Sequence, residues 1–139
     1  MVPEHLLETH TSDGPDYKPL TDQKSWRVAL MNYSHDMLPE KINRMQPHLE
    51  VDDFQVLLKG HCLLLPVEGG DRVTNLLAME MEPNKLYNVQ MNCWHSQPLS
   101  EEARVLIVEN CEPDDANSPY AAGHGHEQQE EIVRLRRDL

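Results

Sequence analysis

The sequence predicts an all-β fold, a sandwich or barrel of about seven short strands, and two observations carry that prediction. From Trp26 onward, short apolar runs alternate with clusters of Gly, Pro, Asn and Asp, so that a turn falls about every eight to twelve residues. The period changes to that of a helix at the C-terminal stretch EQQEEIVRLRRDL. A length of 139 residues fits one domain, large enough to bury a core without metal or disulfide staples. The expected organisation is an N-terminal arm over 1–24, a β-barrel over 25–112, and a connecting loop with a short C-terminal α-helix over 113–139.

Residues 1–24 mix Pro, Gly, Asp, Thr and Lys (THTSDGPDYKPLTDQK) without sustained periodicity, as a covering arm does. Residues 26–31 form the first strand candidate. Over 42–48, an extended chain places Ile42, Arg44, Gln46 and His48 on one face. In 53–66, DFQVLLKGHCLLLP, two apolar arms meet at Lys59-Gly60, which predicts a hairpin with Gly at its tight turn. The near-continuous hydrophobicity of these arms predicts burial on both faces, with Leu57, Leu63 and Leu65 in the core. After the Glu68-Gly69-Gly70-Asp71 turn come strands over 76–81, 85–91 beyond Pro83-Asn84, and 103–110. A Pro, Gly and Asp-rich connection over 111–126 precedes the helix. There Ile132, Val133, Leu135 and Leu139 gather on one side, acidic residues fill the first turn and Arg134, Arg136 and Arg137 the last, in keeping with the macrodipole. This helix is expected to pack on the barrel.

Twelve Lys+Arg against 24 Asp+Glu give a net charge of −12, which repels phosphate backbones and anionic headgroups. Neither nucleic acid nor a membrane surface is therefore expected as a partner; small molecules, metals and proteins remain. The odd number of cysteines, Cys62, Cys93 and Cys111, reads as free thiols in a reducing compartment. The start MVPEHLLETH lacks a basic flank and a long apolar run, and no segment approaches the roughly 20 apolar residues of a membrane helix. The expected location is the cytoplasm.

The stretch that carries chemistry runs from Gln46 to Gly60. Polar ligand types stand at Gln46 and His48, a carboxylate follows after four intervening residues at Asp53, and six further residues lead to Gly60. A strand holds 46 and 48 on one face about 7 Å apart. A bend over 49–52 then returns Asp53 toward the same point, and His95 arrives on another strand. Two imidazoles and one carboxylate around an ion with open positions suit non-haem iron, and are compatible with Mn, Ni, Co or Zn. The spacing resembles the first motif of the cupin superfamily, which reads His, any residue, His, three or four residues, Glu, six residues, Gly. Gln90-Met91-Asn92-Cys93-Trp94-His95 resembles the second motif, Pro, any residue, Gly, two residues, His, with His95 at the last ligand position. The resemblance covers roughly residues 40–110. It departs from the pattern at Gln46 for His, Asp53 for Glu, Asn92 for Gly and Gln90 for Pro, and Leu99 stands where Asn is frequent.

The resemblance implies a small single-domain, RmlC-like cupin, a double-stranded β-helix or jelly-roll barrel. It also implies a divalent ion (Fe, Mn, Ni or Zn) held by His48, Asp53 and His95 with Gln46 as a weak fourth ligand. Homodimers through strand exchange or sheet packing are common in such proteins, and 1–24 is the candidate exchanged arm. Arg44, Gln55, Cys93 and Gln97 share the ligand-side parity and are the candidate substrate-pocket residues. Each has a plainer alternative: Arg44 paired at the rim, Cys93 inert in the core, the two glutamines satisfying internal hydrogen bonds. His48 and His95 read equally as hydrogen-bonded histidines at a polar barrel mouth, and Asp53 as a strand end. Asp52 and Glu50 read as solvated loop carboxylates, and Glu50, on the parity of His48, has the alternative of a substitute ligand or base. The expected function is a metal-dependent enzyme acting on a small polar metabolite, a sugar derivative or an organic acid. The alternative is a non-catalytic metabolite-binding or structural cupin with a degenerate metal site.

Overall fold

The structure is a computed structural model, and it describes residues 2–35, 53–69, 73–90 and 94–110. Among these lie nine strands: β1 (Asp16–Gln23), β2 (Trp26–Asn32), β3 (Asp53–Lys59), β4 (Leu63–Gly69), β5 (Val73–Leu76), β6 (Met79–Glu80), β7 (Leu86–Val89), β8 (Trp94–Ser96) and β9 (Arg104–Asn110). One sheet runs β1-β2-β9-β3-β7, and in the second β4 pairs with β5, β6 and β8. Every pairing between these strands is antiparallel. The all-β prediction is therefore met. Residues 16–23, inside the segment expected to be an arm, form the edge strand β1. The expected strand over 42–48 and the C-terminal helix lie outside the described residues.

Two local expectations are corrected. The arms on either side of Lys59-Gly60 are not a hairpin, because β3 pairs with β7 and β9 while β4 belongs to the other sheet. Gly60 instead turns the chain from one sheet into the next. It does so at φ 75°, and a Cβ there would stand 2.6 Å from Ala103 Cα and 2.7 Å from Ala103 N, so both conformation and space call for glycine. Just beyond, Cys62 bridges to Leu99, and Leu63 N–H donates to Pro98 O at 3.1 Å. Nor is 53–66 buried on both faces throughout. β3 alternates, with Asp53, Gln55 and Leu57 inward and Phe54 and Leu58 outward and exposed, whereas Leu63, Leu64 and Leu65 of β4 are all buried.

The core lies between the sheets and includes Ala29, Met31, Leu57, Cys62, Leu64, Met81, Val89, Leu99, Ala103, Val105 and Ile107. β9 supplies it by strict alternation, Val105 and Ile107 pointing inward between less buried neighbours. The register sets Met31 opposite Val105 and Val105 opposite Leu57, an apolar level. The next level is Ala29, Ile107, Gln55 and Tyr87. Beyond it stand Arg27 and Glu109, paired across β2 and β9, with Asp53 in the neighbouring position on β3. The inner face thus passes from apolar to charged within three levels, and this gradient places the site at one end of the interior.

Two substitutions test this packing. Leu57→Ala, at a fully buried position, is expected to lower stability by about 3 kcal/mol through lost burial and the cavity left behind. Gly60→Ala is expected to be destabilising by about 2 kcal/mol or more, because strain at positive φ adds to a clash with backbone. Urea midpoints of the two variants check both values.

Candidate functional site

Asp53 and His95 reach the site from different sheets. Asp53 begins β3, on the inward parity shared with Gln55 and Leu57. His95 lies in β8, where it pairs with Pro66 of β4. Their side chains are nearly enclosed and meet with His95 Nε2 3.3 Å from Asp53 Oδ2. Two of the residues expected to bind one ion, 42 apart in sequence, are thus brought together. Gln46, His48, Arg44, Cys93 and Glu50 lie outside the described residues.

The two glutamines expected in the pocket join the same assembly. Gln55, 1% exposed, donates from Nε2 to Asp53 Oδ2 at 2.8 Å. Gln97 Nε2 donates to Gln55 Oε1 and lies 3.8 Å from Cys62 Sγ. Burial pushes the Cys62 thiol up to about 12, so it stays protonated and acts as core.

Three further side chains at this end are not among the sequence candidates. Glu109 is the next inward position of β9 after Ile107, and only 8% exposed. Tyr17 of β1 donates its hydroxyl to Glu109 Oε1. Arg27 lies near Tyr17 and holds Asp22 with two bonds, Nε to Oδ1 at 2.6 Å and Nη2 to Oδ2 at 3.1 Å. Burial pushes the Glu109 carboxyl above the ordinary carboxylate range; the Tyr17 hydrogen bond pulls it back and the nearby Asp53 charge adds to the rise. Burial and the bond to Glu109 likewise hold the Tyr17 phenol above its ordinary value. The parity of β9 was a signal for Glu109, since Val105, Ile107 and Glu109 share one face of a strand that the sequence predicts. Nothing local points to Tyr17, whose partner is 92 residues away.

The donor chemistry suits a divalent ion. Two ligands each about 2.1 Å from one ion, in adjacent positions, stand about 3 Å apart, close to the separation of His95 Nε2 and Asp53 Oδ2. Among the described residues no group of three His, Cys, Asp or Glu side chains completes such a site.

The raised pKa of Glu109 has a stability consequence. A carboxyl that binds its proton more tightly folded than unfolded contributes stability that is complete below the unfolded value and lost as pH rises through the folded one. Compared with Glu109→Gln, the wild type is expected to lose stability as pH climbs out of the ordinary carboxylate range. Urea unfolding of both proteins over a pH series checks this, and parallel curves would contradict it.

No protein-family model matches the sequence, and no curated protein matches it. Solved structures match the fold. A cupin-2 domain protein from Shewanella frigidimarina is similar at 12% identity and a TM-score of 0.50, over 77% of this chain and 87% of that one. A tyrosine-to-phenylalanine variant of Streptomyces PAC13 with uridine is similar at 10% identity and a TM-score of 0.55, over 88% of this chain and 96% of that one. The Fe(II) form of HppE is similar at 13% identity and a TM-score of 0.52, over 68% of this chain but 48% of that one. No helix among the described residues is long and apolar enough to cross a membrane. Identities this low speak to architecture alone, and together with the two antiparallel sheets they establish that the protein adopts the cupin fold.

Proposed function

We propose that the protein is a metal-dependent cupin enzyme acting on a small polar metabolite bound inside the barrel. The observation that carries this reading is the meeting of His95 and Asp53 from opposite sheets in a nearly enclosed interior. His48, Asp53 and His95 would hold the divalent ion, with Gln46 as a weak fourth ligand. The bound ion would supply Lewis acidity toward an oxygen of the substrate. Asp53, Glu109 and Tyr17 make this end of the interior polar, which suits a ligand rich in hydroxyl groups, such as a sugar derivative, or an organic acid that binds the ion. The Fe(II) in HppE and the uridine in PAC13 support the same reading.

A second reading, a metal-free metabolite-binding protein, is favoured by one observation: Asp53 Oδ2 already accepts a hydrogen bond from Gln55 within the interior. Metal content separates the two. Untagged protein purified without chelator is expected to carry near one divalent ion per chain. The ion should be lost from the His48→Ala, His95→Ala double variant and kept on truncation after Ala122, which removes the His124 and His126 pair. Protein that holds no metal, and takes up none of added Fe, Mn, Ni or Zn, sinks the enzyme reading in favour of the second.

The same proposal places the protein in the cytoplasm as a homodimer. Support for self-association comes from the outward face of β2, β9, β3 and β7, where Val28, Leu106, Val108, Phe54, Val56 and Leu86 adjoin one another. Phe54 is 37% and Leu86 63% exposed, and no carboxylate stands at an outward position of these four strands, although the chain carries net −12. A second copy of so acidic a chain is met most cheaply across a face without carboxylates. Leu86→Glu is expected to shift the protein from dimer to monomer in sedimentation velocity; an unchanged sedimentation coefficient counts against this face.

A further inference from the structure

Asp53 and His95 are not the only pair that spans the two sheets at this end. Two residues further along each segment stand Gln55 and Gln97, and they too are bonded to each other. The interior therefore carries two successive cross-links: a rung of proposed ligands, Asp53 with His95, and beside it a rung of amides, Gln55 with Gln97. The rungs are also tied to one another, through Gln55 Nε2 and Asp53 Oδ2 at 2.8 Å.

We propose that Gln55 and Gln97 are positioning residues that fix the Asp53 carboxylate, and its separation from His95, for metal binding; the inference rests on the metal-site reading above. The hydrogen bonds run in one direction. Gln97 donates to the Gln55 carbonyl oxygen, which commits the Gln55 amide to turn its N–H toward Asp53. Reversing that amide would set its oxygen against the carboxylate. The orientation of a proposed ligand from one sheet is thus determined by a side chain that arrives beside the proposed ligand from the other.

The surroundings do not call for amides. Gln55 shares its level with Ala29, Ile107 and Tyr87 and is followed on its own face by Leu57, so an apolar side chain of equal size would pack there without having an amide to desolvate. A hydrogen-bonded pair at this level supplies direction to the neighbouring carboxylate, which methionine or leucine does not. Partners of this kind behind a metal ligand hold it in its binding geometry, and their loss typically weakens affinity by about 10- to 100-fold.

The test is titration of the full, chelator-stripped chain with Zn(II) and with Co(II), followed by calorimetry and by the visible Co(II) spectrum. Gln55→Met is expected to weaken Zn(II) binding by about 10-fold or more and to change the Co(II) bands. Gln97→Met acts one bond further off and is expected to weaken binding less. The double variant is expected to bind no more weakly than Gln55→Met, because both substitutions cut one chain. Thermal unfolding of the metal-free proteins isolates any purely structural role, which would lower their melting temperature and leave affinity unmoved. Should Gln55→Met fail to fold, Gln97→Met, at a half-buried position, carries the decision. Wild type that binds neither ion overturns the metal-site reading itself. Wild type that binds, beside folded variants within about twofold of it, overturns the relay alone.

Discussion

Ionisable groups enclosed in a β interior are stable only if they meet one another, and the polar end of this barrel depends on that condition. Asp53 meets His95 and Gln55, Glu109 meets Tyr17, and Arg27 meets Asp22 nearer the surface. These contacts tie β1, β2, β3, β8 and β9 by side chains as well as by backbone. The apolar levels below, from Ile107 to Val105 and Leu57, need no such matching and hold together by burial. One strand can serve both ends because alternation delivers an inward residue every second position, whatever its chemistry.

Much of this was legible in the sequence. The turn spacing gave the class, and the inward parity of Asp53, Gln55, His95 and Gln97 is what the structure displays. What failed was partner choice. Two apolar runs around a glycine look alike whether the chain folds back on itself or crosses to another sheet, and the deciding contact, Gly60 against Ala103, is far off in sequence. Tyr17 escaped for the same reason, and its segment, with Pro19 in it, reads as loop until β2 is beside it. Glu109 was within reach of the period-two pattern, but a carboxylate at the last inward place of a strand looks like a solvated end unless something is known to enclose it.

The two sheets also divide the work of the interior unequally. The five-stranded sheet supplies Asp53, Gln55, Glu109, Arg27 and Tyr17, while the described part of the other side supplies His95 and Gln97. The larger sheet is therefore a fixed polar platform, and the short strand β8, paired with β4 over three positions, delivers the opposing groups. Small displacements of β8 would change the distance from His95 to Asp53 more readily than any movement of β3, which is paired on both sides.

Among the described residues strand β1 ends the larger sheet, and its pairing with β2 slips between Pro19 and Thr21. A proline without an N–H, a lysine at position 18 and an irregular register make that border a poor template for an incoming chain. The sheet is not readily extended past this border into a fibre, and a concentrated solution of this acidic protein is protected on the side where a regular eight-residue strand would invite aggregation.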